Sequence, residues 1–149
     1  MVKVFIYPTT SLILSDMVSR FGHEPLGAAI GIRERIQTPG IESPPLQVTP
    51  EEPKKGLRYA AVEVPSGVRG RMAVVGPLID QAQAAIIVND ADLAFGCMGC
   101  ARTNELVKFL IRKRGIPVLE LTYPRTEEEG VAFVSSIKNF LASLREEKR

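Results

Sequence analysis

Ala84-Ala85-Ile86-Ile87-Val88, followed a short way on by Phe95-Gly96-Cys97-Met98-Gly99-Cys100-Ala101-Arg102-Thr103-Asn104, sets the architecture of this chain. The first run is wholly apolar, as suits a central strand covered on both faces. The second is a glycine-rich turn, and from Thr103 the apolar positions Leu106, Val107, Leu110 and Ile111 recur at helical spacing. Strand, turn and helix in that order form the repeating unit of an α/β domain.

The same pattern continues in both directions. Residues 2–7 read as a strand stopped by Pro8, and Thr9, Thr10 and Ser11 offer hydroxyl caps to a helix with the stripe Leu14, Met17, Val18 and Phe21, closed by Gly22. Residues 26–36 fit helix or strand, and Pro25 as a first-turn proline leans them to helix. Five prolines (Pro39, Pro44, Pro45, Pro50, Pro53) make residues 37–56 a long loop, or a wrap pinned by Ile41, Leu46 and Val48. Residues 57–64 read as a further strand, ended by Pro65-Ser66-Gly67. Pro77 then opens a helix through Gln83, unless a kinked helix starts at Arg69. Residues 103–114 form the clearest helix, with Arg112, Lys113 and Arg114 in its last turn and Gly115 after it. Residues 116–121 are a strand. Thr126 and Glu129 form a capping box for a final helix lined by Phe133, Ile137, Phe140, Leu141 and Leu144, and residues 145–149 are a charged tail. The expectation is one three-layer α/β domain over residues 1–149, with a mainly parallel sheet of about four strands and helices on both faces.

Hydrophobic residues make up 45% of the 149 and charged residues 24%, which is ordinary globular composition. A formal charge of +2 calls for no nucleic-acid partner, and no apolar run has the length of a membrane span. No signal peptide is read at the amino end, so the expected location is the cytoplasm. There a close cysteine pair points to redox or metal chemistry before a structural disulfide.

Ligand sites of open α/β sheets lie beyond the carboxyl ends of the strands. Four turns are expected on that edge: residues 8–11, 65–71, 89–103 and 122–125. Cys97 and Cys100, the two cysteines of the chain, lie in the third. A helix N-terminus favours the thiolate, so the pair suits a dithiol, with Gly99 supplying backbone freedom. Metal is the second reading. Zinc or an iron–sulfur cluster takes about four ligands, and two cysteines and one histidine fall short, so a site would be shared across a homodimer or with a partner protein. Packing alone is the third reading, since free cysteine is among the most buried residue types. Ser66, Gly67, Arg69 and Arg71, with Arg102 and Thr103, are candidates for gripping an anion or small ligand, although the Gly-Lys-Ser/Thr ending of a phosphate loop is missing. His23 reads as a surface or capping residue. Asp80, Asp90 and Asp92 form no credible acid/base pair.

Four segments carry a resemblance: Val4-Phe5-Ile6-Tyr7-Pro8, Arg20-Phe21-Gly22-His23-Glu24-Pro25-Leu26, Glu63-Val64-Pro65-Ser66-Gly67-Val68-Arg69-Gly70-Arg71, and the run from Phe95 to Leu106. In these the chain resembles the methanogenesis marker protein 5 family of methane-producing archaea. The resemblance implies an accessory role around methyl-coenzyme M reductase, in assembly, cofactor handling or activation, with that enzyme or its maturation factors as partners. It brings no catalytic residues. A shorter segment, Gly115-Ile116-Pro117-Val118-Leu119-Glu120-Leu121-Thr122-Tyr123-Pro124-Arg125, is similar to the last strand and turn of the 2-hydroxyacyl-CoA dehydratase and benzoyl-CoA reductase group, whose cysteines hold iron–sulfur clusters beyond parallel strands. Where that group often has an acidic residue before the tyrosine, this chain has Thr122. The functions kept open are therefore an accessory protein, a small dithiol or iron–sulfur redox protein, and an anion- or ligand-binding module.

Overall fold

The computed structural model describes residues 1–28, 51–89 and 98–146. Strand β1 (Lys3–Tyr7) lies inside the sheet, and its side chains alternate between two cores. Phe5 and Tyr7 enter one core, while Val4 and Ile6, with Val2 just before the strand, enter the other. Strand β3 (Ala84–Asn89) divides likewise, with Ala85 and Ile87 on the first face and Ala84, Ile86 and Val88 on the second. Burying each of the larger side chains contributes about 1.5–3 kcal/mol, so these two strands anchor the domain.

Strands β2 (Glu24–Leu26) and β4 (Val118–Thr122) flank them, giving the order β2-β1-β3-β4 with every pairing parallel. Helix α1 (Leu12–Arg20) and helix α5 (Glu127–Glu146) cover one face through Leu14, Val18, Ile137, Leu141 and Leu144. Helix α3 (Ser66–Gln81) and helix α4 (Met98–Lys113) cover the other through Val68, Met72, Ile79, Val107 and Ile111. The fold is α/β, with helices on both faces of a four-stranded parallel sheet.

Both expected caps form. Ser11 Oγ accepts the Leu14 amide at 3.3 Å. Thr126 Oγ1 accepts the Glu129 amide at 3.2 Å, and the Glu129 carboxylate accepts the Thr126 amide at 3.3 Å and the Arg125 amide at 2.8 Å. Gly22 ends the α1 turn at φ 76°, a conformation that favours glycine.

Five expectations need correction. Residues 57–64 form turns, not a strand: the Arg69 guanidinium holds the segment by donating to the carbonyls of Val62 at 2.7 Å and Val64 at 2.5 Å. The fourth strand is β2 instead, where Pro25 is tolerated because an edge strand needs backbone donors on one side only. Leu26 thus belongs to a strand, and residues 29–36 lie outside the described residues. Helix α3 begins at Ser66 and runs through Pro77 to Gln81, rather than starting at that proline. Six of the proline-rich residues form a short helix, α2 (Glu51–Gly56), with Pro53 in the first turn, where its missing N–H costs nothing; residues 37–50 lie outside the described residues. Helix α2 fits closely against α3, since a Cβ on Gly56 would overlap the Arg69 carbonyl. The charged tail also starts later than expected, because α5 includes Arg145 and Glu146.

Candidate functional site

Strand order and helix direction together define the edge where a site belongs. The chain leaves β1 for β2 on one side, and later leaves β3 for β4 on the other. The boundary between β1 and β3 is therefore the topological switch point, where open parallel sheets bind ligands. Helix α3 ends at the amino edge, where Gln81 and Gln83 hydrogen-bond Lys3, so its N-terminus faces the carboxyl edge. Helix α4 runs the same way: Arg114 near its end donates to the Ala82 carbonyl at 3.1 Å, before β3 begins.

On the β1 side of the switch point, a cis Tyr7–Pro8 bond leads into Thr9 and the Ser11 cap. The Thr9 carbonyl accepts the Ala28 amide at 2.8 Å, and a Cβ on Gly27 would come within 2.8 Å of that oxygen. Only glycine lets the end of β2 approach this closely.

On the β3 side lies the cysteine segment. Helix α4 starts at Met98, five residues before the expected Thr103, so Cys100 belongs to its first turn. Within the helix Thr103, Val107 and Ile111 fall three and four residues apart along one side, the side that is buried. Thr103, one of the ligand candidates, thus lies inside the helix and is buried, at 6% exposed. Lys108 lies over the Tyr7 ring at 6.0 Å, at the end of β1. Cys97 lies outside the described residues, as do Asp90 and Asp92.

At the end of β3 is a polar cluster that no motif announced. Asn89, the last residue of β3, donates from Nδ2 to Glu120 Oε1 at 2.7 Å, and Arg112 donates to the same oxygen at 2.7 Å. The Asn89 bond, the paired Arg112 and the nearby Lys108 charge together hold the Glu120 carboxyl below the usual range, against the opposing effect of burial. Asn89 Oδ1 is shielded from solvent and has no partner among the described residues. A charged residue inside the apolar run 116–121 was the one sequence signal for this cluster.

The anion candidates are divided by the structure. Ser66 and Gly67 open α3 at the carboxyl edge, and a Cβ on Gly67 would meet open space. Arg69 is turned onto the preceding turn rather than outward. Arg71 and Arg102 are exposed on α3 and α4. His23 is buried, not a surface residue, and both its ring nitrogens are engaged. Asp80 lies near the end of α3, toward the amino edge, bonded to the Tyr59 hydroxyl at 2.7 Å and Arg58 at 3.2 Å. A separate cleft of about 370 Å³ opens where β4 turns into α5, lined by Leu121, Tyr123, Pro124 and Phe133. Among the described residues no group of three or more His, Cys, Asp or Glu side chains is arranged for a metal ion, and no helix is long and apolar enough to cross a membrane.

No solved structure matches the chain. The uncharacterized protein MJ0404 of Methanocaldococcus jannaschii is 60% identical to it over 146 residues, covering 98% of this chain and 97% of that protein. Residues 2–144 match a family described as an uncharacterized protein conserved in archaea, DUF2112. This α/β chain, with its cysteine-bearing helix at the carboxyl edge, belongs to that archaeal family.

Proposed function

We propose that this protein is a cytoplasmic accessory factor of methanogenesis, assisting assembly or activation of methyl-coenzyme M reductase through the Cys97–Cys100 turn. The observation that carries the reading is the place of Cys100. It stands in the first turn of a helix whose N-terminus meets the carboxyl edge at the switch point. Free amides and the helix dipole there favour a thiolate, the form that attacks disulfides and binds soft metals. The setting is supported by a relative in Methanocaldococcus jannaschii and by the resemblance of four segments to methanogenesis marker protein 5.

A dithiol or iron–sulfur role is the variant of the same site. His23 is committed to Val2 and Leu141, so a cluster of about four ligands would draw on a second chain or a partner protein. Anaerobic purification followed by iron, sulfide and zinc analysis with molecular mass tests the site. Cluster or zinc at half-stoichiometry in a dimer supports sharing between two copies. A metal-free monomer whose thiols resist both alkylation and mild oxidation contradicts the functional reading of the pair.

A further inference from the structure

Strand β4 closes the sheet on one side, and no strand of the described residues pairs with its outer side. Its inner side is bonded to β3 at both ends. The Pro117 carbonyl accepts the Ala85 amide at 2.9 Å, and the Tyr123 amide donates to the Asn89 carbonyl at 2.9 Å. Backbone groups alternate sides along a strand, so residues 117, 119, 121 and 123 face β3. The amides and carbonyls of Val118, Glu120 and Thr122 therefore point away from the sheet. Such a row is a template for another strand unless it is blunted. The opposite edge is blunted, since β2 has three residues and the middle one is Pro25. Strand β4 has five residues with no proline or lysine inside it, and Arg112 matches the Glu120 charge at 2.7 Å.

We propose that β4 is a self-complementary docking edge, through which two copies of this chain join antiparallel about a two-fold axis and double the four-stranded sheet. Centred on Glu120, the pairing matches Val118 with Thr122, Glu120 with Glu120 and Thr122 with Val118, and uses every outward backbone group of the strand in about six hydrogen bonds. The side chains match in the same register. Leu119, half-buried against the second core, pairs with Leu121 on the same face across the axis. Pro117 pairs with Tyr123, which is 48% exposed beside the cleft where β4 turns into α5. The two Glu120 carboxylates become neighbours at the axis, and each copy brings an Arg112 beside them, so the charges balance. The interface uses neither cysteine, which separates it from a dimer built on a shared cluster.

The test is sedimentation equilibrium of the full chain under reducing conditions, across a concentration series. The native chain and Cys97→Ser/Cys100→Ser are both expected at twice the chain mass. Thr122→Pro removes an outward amide and leaves the ladder to β3 intact, so each dimer loses two hydrogen bonds across the axis. It is expected to weaken association about tenfold or more. Arg112→Glu gathers four carboxylates at the axis and is expected to weaken association as well. Adding Glu120→Arg to it restores the balance of charge and is expected to recover the dimer. A native chain of single mass at every concentration overturns the proposal, whatever other protein the edge then binds. A dimer that disappears with the cysteines, or one that both Thr122→Pro and Arg112→Glu leave at native strength, also overturns it. If Thr122→Pro does not fold, Arg112→Glu and its double variant decide the matter. Failure of the accessory role shows elsewhere, as absent association of the native chain with the reductase.

Discussion

His23 and Leu141 stand 118 positions apart and are joined by a buried hydrogen bond of 2.9 Å between Nε2 and the Leu141 carbonyl. The Val2 amide donates to Nδ1 at 3.3 Å, so Nδ1 accepts and Nε2 carries the ring proton. The imidazole thus connects the entry to β1 with the C-terminal half of α5. His23→Ala leaves the Val2 amide buried without its partner and is expected to destabilise the domain by about 1–3 kcal/mol. Urea unfolding checks this, with the midpoint lowered at unchanged slope.

Helix α3 passes so close to the preceding turn that a Cβ on Gly76 would overlap the Tyr59 ring. Alanine has the better helix propensity by about 1 kcal/mol, yet overpacking costs about 1–3 kcal/mol. Gly76→Ala is therefore expected to lower the thermal midpoint. Adding Tyr59→Ala should make the combined loss smaller than the sum of the two single losses, as a double-mutant cycle measures.

Glu120 gives the stability a dependence on acid. Its native carboxyl titrates below the ordinary glutamate value, first through the Asn89 hydrogen bond and then through Arg112. The folded state thus holds the proton less tightly than the unfolded chain. The contribution is present above the unfolded carboxyl's range and is lost as pH falls through the lowered native value. Its size is modest, because the side chain is 37% exposed. The stability difference between the native chain and Glu120→Gln should be constant near neutrality and shrink below about pH 4.5, the ordinary glutamate value. A difference that grows on acidification would contradict the Asn89–Glu120–Arg112 arrangement.

The capping box offers a local check. Thr126→Ala removes the acceptor of the Glu129 amide and is expected to cost about 1 kcal/mol. Amide exchange should quicken first at the start of α5, while residues near Ile137 and Leu141, both fully buried, keep their protection.

The parts of the fold written as local periodicity were legible. The apolar runs at 2–7 and 84–88, the Ser11 cap and the Thr126–Glu129 box each specify an element within a few residues of chain, and each is formed. Tertiary context decided the others. Pro25 suits a helix start and an edge strand equally, and only its place beside β1, opposite Val4, selects the strand. The β-branched pattern at 57–64 gave way because Arg69 bonds its carbonyls and Tyr59 packs on α3. Of the candidate site, the sequence order carried only that the cysteine-bearing helix follows a central strand. The polar cluster at the end of β3 was not legible, because Asn89, Arg112 and Glu120 come from three elements that meet only when the sheet is assembled.

The most direct measurement is quantitative co-purification of methyl-coenzyme M reductase subunits with the affinity-tagged full chain, produced anaerobically in a methanogen, comparing the native protein with Cys97→Ser/Cys100→Ser. An accessory role exercised through the cysteine pair predicts that the reductase is retained by the native chain and lost with the double variant, while the thermal midpoint of the variant stays native. Equal recovery with both forms, or no recovery with the native chain, would contradict it.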